Sequence, residues 1–162
     1  MRRARFAEIL RLLVTNEVEF IVVGMTAGIL QGAPVTTIDL DVVHRRSPEN
    51  VARLLRVLAG LDAVYRHDPR NLRPQESHLG GPGHQLLTTT HGDLDCLEAI
   101  GEGIGYEELL EQTVSMSLSS GMTVRVLSLP ALIETKQWTG RPKDLAVLPV
   151  LRATLDELKR RS

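Results

Sequence analysis

The sequence is poor in cysteine, with Cys96 the only one among 162 residues. A single cysteine excludes an internal disulfide and a zinc site built from several cysteines, and it agrees with a reducing compartment. Free cysteine is usually buried as a small hydrophobic residue, so we expect Cys96 in the core. The histidines show no metal-ligand spacing of the H-E-x-x-H kind. We interpret all five as surface or turn residues: His44, His67, His78, His84 and His91.

An excess of charge of one sign is also lacking. The 19 lysines and arginines are balanced by 20 aspartates and glutamates, which leaves a net charge of -1. Such a balance provides no field for long-range capture of nucleic acid. Any RNA binding would be local, at "MRRAR", "RHDPRNLRP" or the C-terminal "KRR". Each of these segments is more typical of a solvated face or tail.

Long apolar runs are absent as well. The run "FIVVG" is too short for a membrane-spanning helix or a signal-peptide core, so we expect a cytoplasmic protein that does not enter a membrane. Hydrophobic residues make up 43% and charged residues 24% of the chain, which is typical of a folded globular protein and argues against disorder. The length and the lack of internal repeats predict one domain over residues 1–162.

The N-terminal part alternates helix and strand patterns. Apolar residues at helical spacing predict an amphipathic helix over residues 2–15. The segment "VEFIVVG" is typical of a strand that is covered on both sides, and "MTAGILQG" predicts a short helix after it. The segment "TTIDLDVV", residues 36–43, predicts a second buried strand.

A capped helix and a long loop follow the second strand. Ser47 has the chemistry of an N-cap, and Pro48 suits the first helical position. The predicted buried stripe of this helix is Val51, Leu54, Leu55, Leu58 and Leu61. Residues 68–83 contain three prolines and three glycines without apolar periodicity. We predict a functional loop there, a lid or an RNA-contacting flap.

The remaining elements complete a mixed sheet. The segment "QLLTTTHGDLDCLEAI" predicts two strands joined by a turn at "HGD", and "YEELLEQ" predicts a short helix. The segment "VSMSLSSGMTVRVLS" predicts a hairpin that turns at Ser120 and Gly121. A helical tail is predicted over residues 130–160, with a proline at the start of each helical segment: Pro130, Pro142 and Pro149. Strands interleaved with helices indicate an α/β or α+β fold, a mixed sheet flanked by helices.

Two aspartates interrupt the second predicted strand. Residues two apart share one face of a strand, so Asp39 and Asp41 point the same way, roughly 6 to 7 Å apart along the chain. Ionised carboxylates on a covered sheet repel each other and lose hydration unless a cation lies between them. Short carboxylate ligands suit Mg²⁺ or Mn²⁺ rather than zinc. Such a pair on an exposed strand edge would have no chemical role.

The spacing recurs in "GDLDCLEA". There Asp95 lies between Leu94 and Cys96, whereas we assign Asp93 to the turn beside Gly92. Three carboxylates converging from two strands, Asp39, Asp41 and Asp95, are what two-metal phosphoryl transfer requires, and one of them can also accept a proton from the attacking hydroxyl.

A glycine turn precedes the aspartate pair by some 15 residues. In "VVGMTAG" a strand runs through Gly24 into the start of a helix. Backbone N–H groups and the helix dipole at such a turn can hold a triphosphate. Gly24 permits close approach of the backbone, and Thr26 offers a hydroxyl.

Together these motifs resemble the signature of the nucleotidyltransferase superfamily, the polymerase-beta-like fold. That signature is hG[GS], then Dh[DE]h about a dozen residues on, then a third acidic strand residue; the chain has "VVGMTAG", "IDLDVV" and "GDLDCL". The C-terminal "VLSLPALIETKQWTGRPKDLAVLPVL" resembles the AbiEii and MenT-like toxin branch, with its Leu-Ile-x-x-Lys helix and Arg-Pro-x-Asp stretch. The resemblance covers nearly the whole chain. It implies a nucleotidyltransferase-like core with a helical C-terminal segment.

The resemblance also implies roles for individual residues. Asp39, Asp41 and Asp95 would hold Mg²⁺ or Mn²⁺, with Asp95 as general base. Lys136 would contact the phosphates of an NTP, although a lysine that buries its stem and exposes its head is the alternative. Further nucleotide-binding positions would be Gly24, Met25, Thr26, Lys143 and Asp144.

The implied reaction moves an NMP from an NTP to a hydroxyl acceptor, a tRNA 3′ end or a protein side chain. The enzyme would be the toxin of a toxin–antitoxin pair, with an antitoxin as partner. One residue departs from the signature, because Met25 replaces the small residue that usually touches phosphate. A catalytically silent nucleotide-binding or protein-interaction member of the fold is therefore an alternative, and a metal-dependent phosphohydrolase is a third.

Overall fold

The computed structural model describes residues 5–119 and 121–162. Its helices are α1 Phe6–Thr15, α2 Gly24–Leu30, α3 Pro48–Gly60, α4 Glu76–Gly80, α5 Tyr106–Leu109, α6 Leu129–Thr139 and α7 Pro142–Arg161, with a 3₁₀ turn at Leu110–Gln112. Its strands are β1 Phe20–Val23, β2 Asp39–His44, β3 Val64–Tyr65, β4 His84–Thr89, β5 Gly92–Leu97, β6 Ala99–Ile100, β7 Ile104–Gly105, β8 Thr113–Ser117 and β9 Thr123–Leu127. No helix in these residues has the length and apolarity needed to cross a membrane.

Seven strands form one mixed sheet in the order β3-β4-β5-β2-β1-β9-β8. Strand β2 pairs antiparallel with β1 and parallel with β5, and β1 pairs parallel with β9. Strands β6 and β7 form a separate two-stranded ribbon. This architecture confirms the predicted class, a mixed sheet flanked by helices.

The centre of the sheet carries the core. All four residues of β1 are buried, as expected for a strand covered on both faces. Cys96 of β5 is fully buried, as predicted, and burial raises the pKa of its thiol to about 12. Gly28 of α2 lies against Leu132 of α6 and Leu151 of α7, so the two C-terminal helices pack on the same core.

Two predicted boundaries in the N-terminal part need correction. Helix α1 begins at Phe6, and residues 2–4 of the predicted helix lie outside the described residues. Strand β2 begins at Asp39 rather than residue 36, and Ile38 is 82% exposed. Ile38 lies beyond the strand pairing that begins at Asp39, so the sheet does not cover it.

Helix α3 matches its predicted cap and stripe. The Ser47 hydroxyl accepts a hydrogen bond from the Asn50 amide at 3.4 Å, and Pro48 takes the first helical position. Of the predicted stripe only Leu55 is half-buried rather than buried.

The segment 68–83 is not structureless, because it contains α4. Leu79 of α4 is buried and anchors the segment to the core. Its carbonyl accepts a 2.8 Å hydrogen bond from His44 Nε2 of β2. The interpretation of His44 as a surface residue was therefore wrong, since its side chain is 2% exposed. A buried imidazole is accommodated here because one ring nitrogen has a backbone partner.

The tail contains two helices rather than three. Pro130 and Pro142 lie in the first turns of α6 and α7, as predicted, but Pro149 lies inside α7. Proline removes one backbone hydrogen bond from a helix interior. Pro149 and Leu145 are both exposed, so water can reach the carbonyl that loses its partner. The predicted hairpin is present as antiparallel β8 and β9, with Ser120 of its predicted turn outside the described residues.

His44 predicts a stability that depends on pH. Burial lowers its pKa below the ordinary value of 6.5, so the unfolded chain binds the proton more readily than the folded protein does. Neutral His44 therefore does not lower the unfolding free energy above about pH 6.5. As the pH falls from there through the lowered pKa of the folded state, the unfolding free energy decreases. Urea denaturation from pH 5 to 8 should show this loss for the wild type.

The matched variant is His44→Gln, which retains an N–H donor for the Leu79 carbonyl and does not titrate. As the pH falls, the unfolding free energy of the wild type should decrease relative to that of His44→Gln. A difference that stays constant over this range would contradict the burial of a neutral imidazole.

Candidate active site

Three carboxylates meet on one face of the sheet. Asp39 and Asp41 of β2 and Asp95 of β5 each offer an oxygen, and these oxygens lie within 4.8 Å of one another. The parallel register sets Asp41 opposite Asp95, and alternate residues of a strand share a face. The structure thus brings together the three aspartates selected from the sequence, which we call the acidic cluster.

Within the acidic cluster, Asp41 has an oxygen without a compensating partner. Asp41 Oδ1 is buried and has no hydrogen-bond partner among the described residues. Burial, followed by the charges of Asp39 and Asp95, raises the pKa of Asp41 to about 7. Asp39 accepts a hydrogen bond from Thr37 Oγ1 at 3.2 Å. An unpartnered buried oxygen beside other carboxylates fits a hard divalent cation such as Mg²⁺ or Mn²⁺.

A fourth carboxylate lies beside the cluster. Asp93 belongs to β5, so its assignment to a turn was wrong, and the strand register sets it opposite Asp39. Its Oδ1 accepts a hydrogen bond from Thr88 Oγ1 at 3.0 Å. It therefore shares the face of the sheet that carries the acidic cluster.

Arg66 is a site residue that the sequence patterns missed, and Arg141, which lies beside Lys136 and Asp144, is another. Its Nη2 donates a hydrogen bond to Asp95 Oδ1, and its Nε forms an ion pair with Asp93 Oδ2 at 3.3 Å. Burial raises the pKa of Asp95, and Arg66 opposes that shift. Arg66 is part of the "RHDPRNLRP" segment, whose charges suggested only a solvated face. The available signal was its position directly after the strand pattern at Val64 and Tyr65.

Gly24 permits the close approach of α2 to the cluster. Its φ is +63°, and a Cβ at this position would overlap Asp41 Oδ2 and lie 3.2 Å from Asp41 Cβ. The first residue of α2 therefore has to be glycine for two reasons, the backbone conformation and the space beside Asp41.

The two residues after Gly24 differ in their access to the cleft. Met25 is half-buried and lines a cavity beside the cluster. Thr26 is 6% exposed, and its hydroxyl donates to the Asp39 carbonyl at 3.4 Å. Thr26 therefore contacts the backbone of β2, whereas Met25 faces the cavity.

Lys136 and Asp144 form a buried ion pair. Lys136 Nζ lies 3.2 Å from Asp144 Oδ1, and Arg141 Nε lies 2.6 Å from Asp144 Oδ2. Burial alone would raise the pKa of Asp144, but hydrogen bonds from Arg141 and Lys136 hold it well below its ordinary value. The side chain of Asp144 is 0% exposed. It orients Lys136, accepts a hydrogen bond from the Arg141 amide at the start of α7, and lies beside the cavity that Met25 lines.

Two adjoining cavities of about 420 Å³ each open at the cluster. Both are lined by Asp39, Asp41, Lys136, Arg141 and Lys143. The first cavity continues past Asp95 and Arg66, and the second continues past Met25. Their size is in the range of small-molecule sites, and the carboxylates lie where the two meet.

Solved structures with a similar fold come from nucleotidyltransferases. A candidate nucleotidyltransferase from Thermotoga maritima, TM1012, matches with a TM-score of 0.57 at 20% identity, over 94% of this chain and 91% of that one. The antibiotic-resistance factor ANT(2'')-Ia in solution matches with a TM-score of 0.59 at 14% identity, over 93% and 82%. The crystal structure of ANT(2'')-Ia in complex with adenylyl-2''-tobramycin matches with a TM-score of 0.61 at 18% identity, over 95% and 89%.

No protein-family model and no curated protein matches the sequence. The similarities therefore establish a nucleotidyltransferase-like fold over nearly the full chain. They do not single out the AbiEii and MenT-like branch.

Substituting Gly24 by alanine should disturb the site and the fold together. We expect Gly24→Ala to lower the unfolding free energy by roughly 1–3 kcal/mol, because a non-glycine residue is strained at positive φ and its Cβ displaces Asp41. Urea denaturation measures the loss. Gly60→Ala at the end of α3, where an added Cβ meets open space, is the control and should change stability by less than about 1 kcal/mol. Equal stability of the two variants would contradict the close approach at Asp41.

Removing the Asp144 carboxylate should loosen the C-terminal helices. We expect Asp144→Asn to lower stability by roughly 1–3 kcal/mol, because hydrogen bonds to charged groups are lost and Lys136 is left without its anion. Asp156→Asn, at an exposed position of the same helix, should stay within about 0.5 kcal/mol of the wild type. Thermal unfolding of both variants tests the difference, and equal midpoints would show that the buried ion pair contributes nothing.

Proposed function

We propose that the protein is a nucleotidyltransferase that moves an NMP from an NTP to a hydroxyl acceptor. The observation that carries this proposal is the convergence of Asp39, Asp41 and Asp95 beside two adjoining cavities, of which both are lined by Asp39 and Asp41 and the first also by Asp95. A donor and an acceptor that react must meet at one point, and the carboxylates lie at that point. The fold shared with nucleotidyltransferases supports the same reaction class.

The acidic cluster would hold a divalent cation, Mg²⁺ or Mn²⁺. Asp39, Asp41 and Asp95 supply oxygen atoms only, which suits these ions. When bound, the cation supplies charge stabilisation for the transferring phosphoryl group. Asp41 Oδ1 is buried and accepts no hydrogen bond from the part of the chain that the structure describes, so it is available as a ligand atom for the cation.

Asp95 would act as the general base. The acceptor hydroxyl gives its proton to Asp95, and its oxygen forms a new bond to the α-phosphorus. The bond between the α-phosphorus and the bridging oxygen breaks, and pyrophosphate leaves with that electron pair. Asp95 lines the first cavity, so its carboxylate is accessible to an acceptor hydroxyl bound there.

Basic side chains would bind the triphosphate. Lys136, Arg141 and Lys143 line both cavities, and Lys136 is held in place by Asp144. Lys143 is exposed at the rim, where it is free to move onto a bound phosphate. The Met25 side chain takes the place of a small residue beside these groups, so we expect the phosphates to rest on the cations rather than on the α2 turn.

The acceptor classes to test first are those implied by the family resemblance, a tRNA 3′ end and a hydroxyl side chain of a protein. A small hydroxyl compound is the third class, because ANT(2'')-Ia is seen with adenylylated tobramycin. A toxin role with an antitoxin partner in the cytoplasm is part of the proposal and rests on the resemblance of the C-terminal segment.

Transfer activity should depend on the acidic cluster. We expect Asp41→Asn and Asp95→Asn to reduce transfer by about 100-fold or more, because one removes a cation ligand and the other removes the base. The assay incubates the protein with α-labelled NTPs, Mg²⁺ and either total tRNA, cell lysate or tobramycin, and measures acid-stable or product-bound label. Asp156→Asn is the matched control and should retain wild-type activity.

Label transfer that is absent with every acceptor, or that Asp41→Asn leaves unchanged, would overturn the proposal. Thermal stabilisation by ATP and Mg²⁺ without any transfer would favour the alternative, a catalytically silent nucleotide-binding member of the fold. Phosphate release from a simple ester without NTP would instead indicate a phosphohydrolase that uses the same carboxylates.

A further inference from the structure

Four carboxylates lie in two register pairs on one face of the sheet. Asp39 is opposite Asp93, and Asp41 is opposite Asp95, on neighbouring parallel strands. Of these, Asp39, Asp41 and Asp95 form the acidic cluster, and Asp93 lies beside it. The proposed reaction gives Asp93 no role, so its charge needs a separate explanation.

Arg66 compensates the charge on the β5 side. Its guanidinium contacts both Asp93 and Asp95, and its side chain is 16% exposed. The contact with Asp95 is a charge-assisted hydrogen bond, whereas the contact with Asp93 is an ion pair at 3.3 Å without hydrogen-bond geometry. The β5 side of the face therefore carries a cation that belongs to the protein.

Backbone contacts hold the guanidinium in place. Arg66 Nη2 also donates to the Leu87 carbonyl at 2.9 Å, and the Arg66 amide donates to the Leu86 carbonyl at 2.9 Å. Both carbonyls belong to β4, the strand next to β5. Because both the backbone amide and the guanidinium of Arg66 donate hydrogen bonds to β4, the sheet fixes its position together with the two carboxylates.

The β2 side has no equivalent cation in contact. Asp41 Oδ1 has no partner among the described residues, and the nearby Lys136 is shared with the buried Asp144. One divalent ion at Asp39, Asp41 and Asp95, together with Arg66, leaves the four carboxylates with a small negative balance. A second divalent ion would have to bind between Asp93 and Asp95, where the Arg66 guanidinium already lies, and the two cations would repel each other.

We propose that Arg66 occupies the position of a second metal ion, so that the site binds a single divalent cation and Arg66 holds Asp95 toward the acceptor. This inference rests on the metal site of the proposed function. Arg66 is thus a positioning residue, which acts through Asp95 rather than on the substrate.

Metal stoichiometry tests this role without reference to activity. The experiment titrates the purified protein with Mn²⁺ in the absence of nucleotide and follows the electron paramagnetic resonance signal of free Mn²⁺. The wild type should bind one Mn²⁺, and Arg66→Gln should bind two, because the variant opens the positions beside Asp93 and Asp95. Arg66→Lys retains the cation and should bind one. Arg56→Gln, at an exposed position of α3, is the control and should also bind one.

A double variant makes the assignment specific. Arg66→Gln combined with Asp93→Asn removes the carboxylate that would hold the additional ion, so the stoichiometry should return to one. Transfer activity of Arg66→Gln should fall by about 10-fold or more while its metal capacity rises, since Asp95 is no longer held in place. If Arg66 had only a structural role, Arg66→Gln would lose transfer activity and metal binding together. Circular dichroism verifies that the variants are folded.

Three outcomes would overturn the inference. They are two Mn²⁺ ions bound by the wild type, one ion bound by Arg66→Gln at unchanged affinity, and loss of all Mn²⁺ binding from a folded Arg66→Gln protein. Each of them leaves the proposed transferase reaction standing. A wild-type protein that binds no Mn²⁺ would instead remove the metal site, and the proposed function would fall with the role of Arg66.

Discussion

Repulsion between like charges at the β2–β5 pair is the constraint on which the site depends. Parallel pairing at this register forces Asp41 against Asp95 and Asp39 against Asp93, and the core behind the sheet denies part of this face to water. Carboxylates in such a place are costly unless cations or hydrogen-bond donors compensate them. The surrounding elements supply this compensation, or the space for it, from different sides of the cluster.

Two cations beside the cluster differ in kind. Arg66 follows the edge strand β3 and contacts the β5 carboxylates directly, and its guanidinium also donates to the Leu87 carbonyl of β4. Lys136 comes from α6 and is oriented by Asp144 at the start of α7. A guanidinium held by backbone is a permanent part of the site, whereas an ammonium on a long stem can transfer its contact from Asp144 to a bound phosphate. The first suits positioning and the second suits substrate binding.

The C-terminal helices thus do more than cover the sheet. Asp144 lies in the first turn of α7, where its carboxylate accepts a hydrogen bond from the amide of the N-cap residue Arg141. The same carboxylate forms the ion pair that holds Lys136 beside the cleft. The beginning of α2 meets the cluster from the other direction, where Gly24 leaves room for Asp41. The same contacts stabilise the fold and form the cleft. Changes in packing at the start of α2 or α7 should therefore alter the positions of the carboxylates.

Local pattern alone determined most of the elements and the choice of Asp39, Asp41 and Asp95, because the periods of strands and helices are properties of neighbouring residues. The N-cap at Ser47 and the hairpin of β8 and β9 were predictable for the same reason. Pairing between distant segments decided the rest. It determined which strands are neighbours in the sheet, and it placed Asp93 in β5 on the face that carries the acidic cluster rather than in a turn. It also placed Arg66 in the site, since that contact spans 29 residues and depends on β3 and β4 lying next to β5. A sequence pattern records what a residue can do within its own element, whereas charge compensation between elements exists only once the sheet order has brought them together.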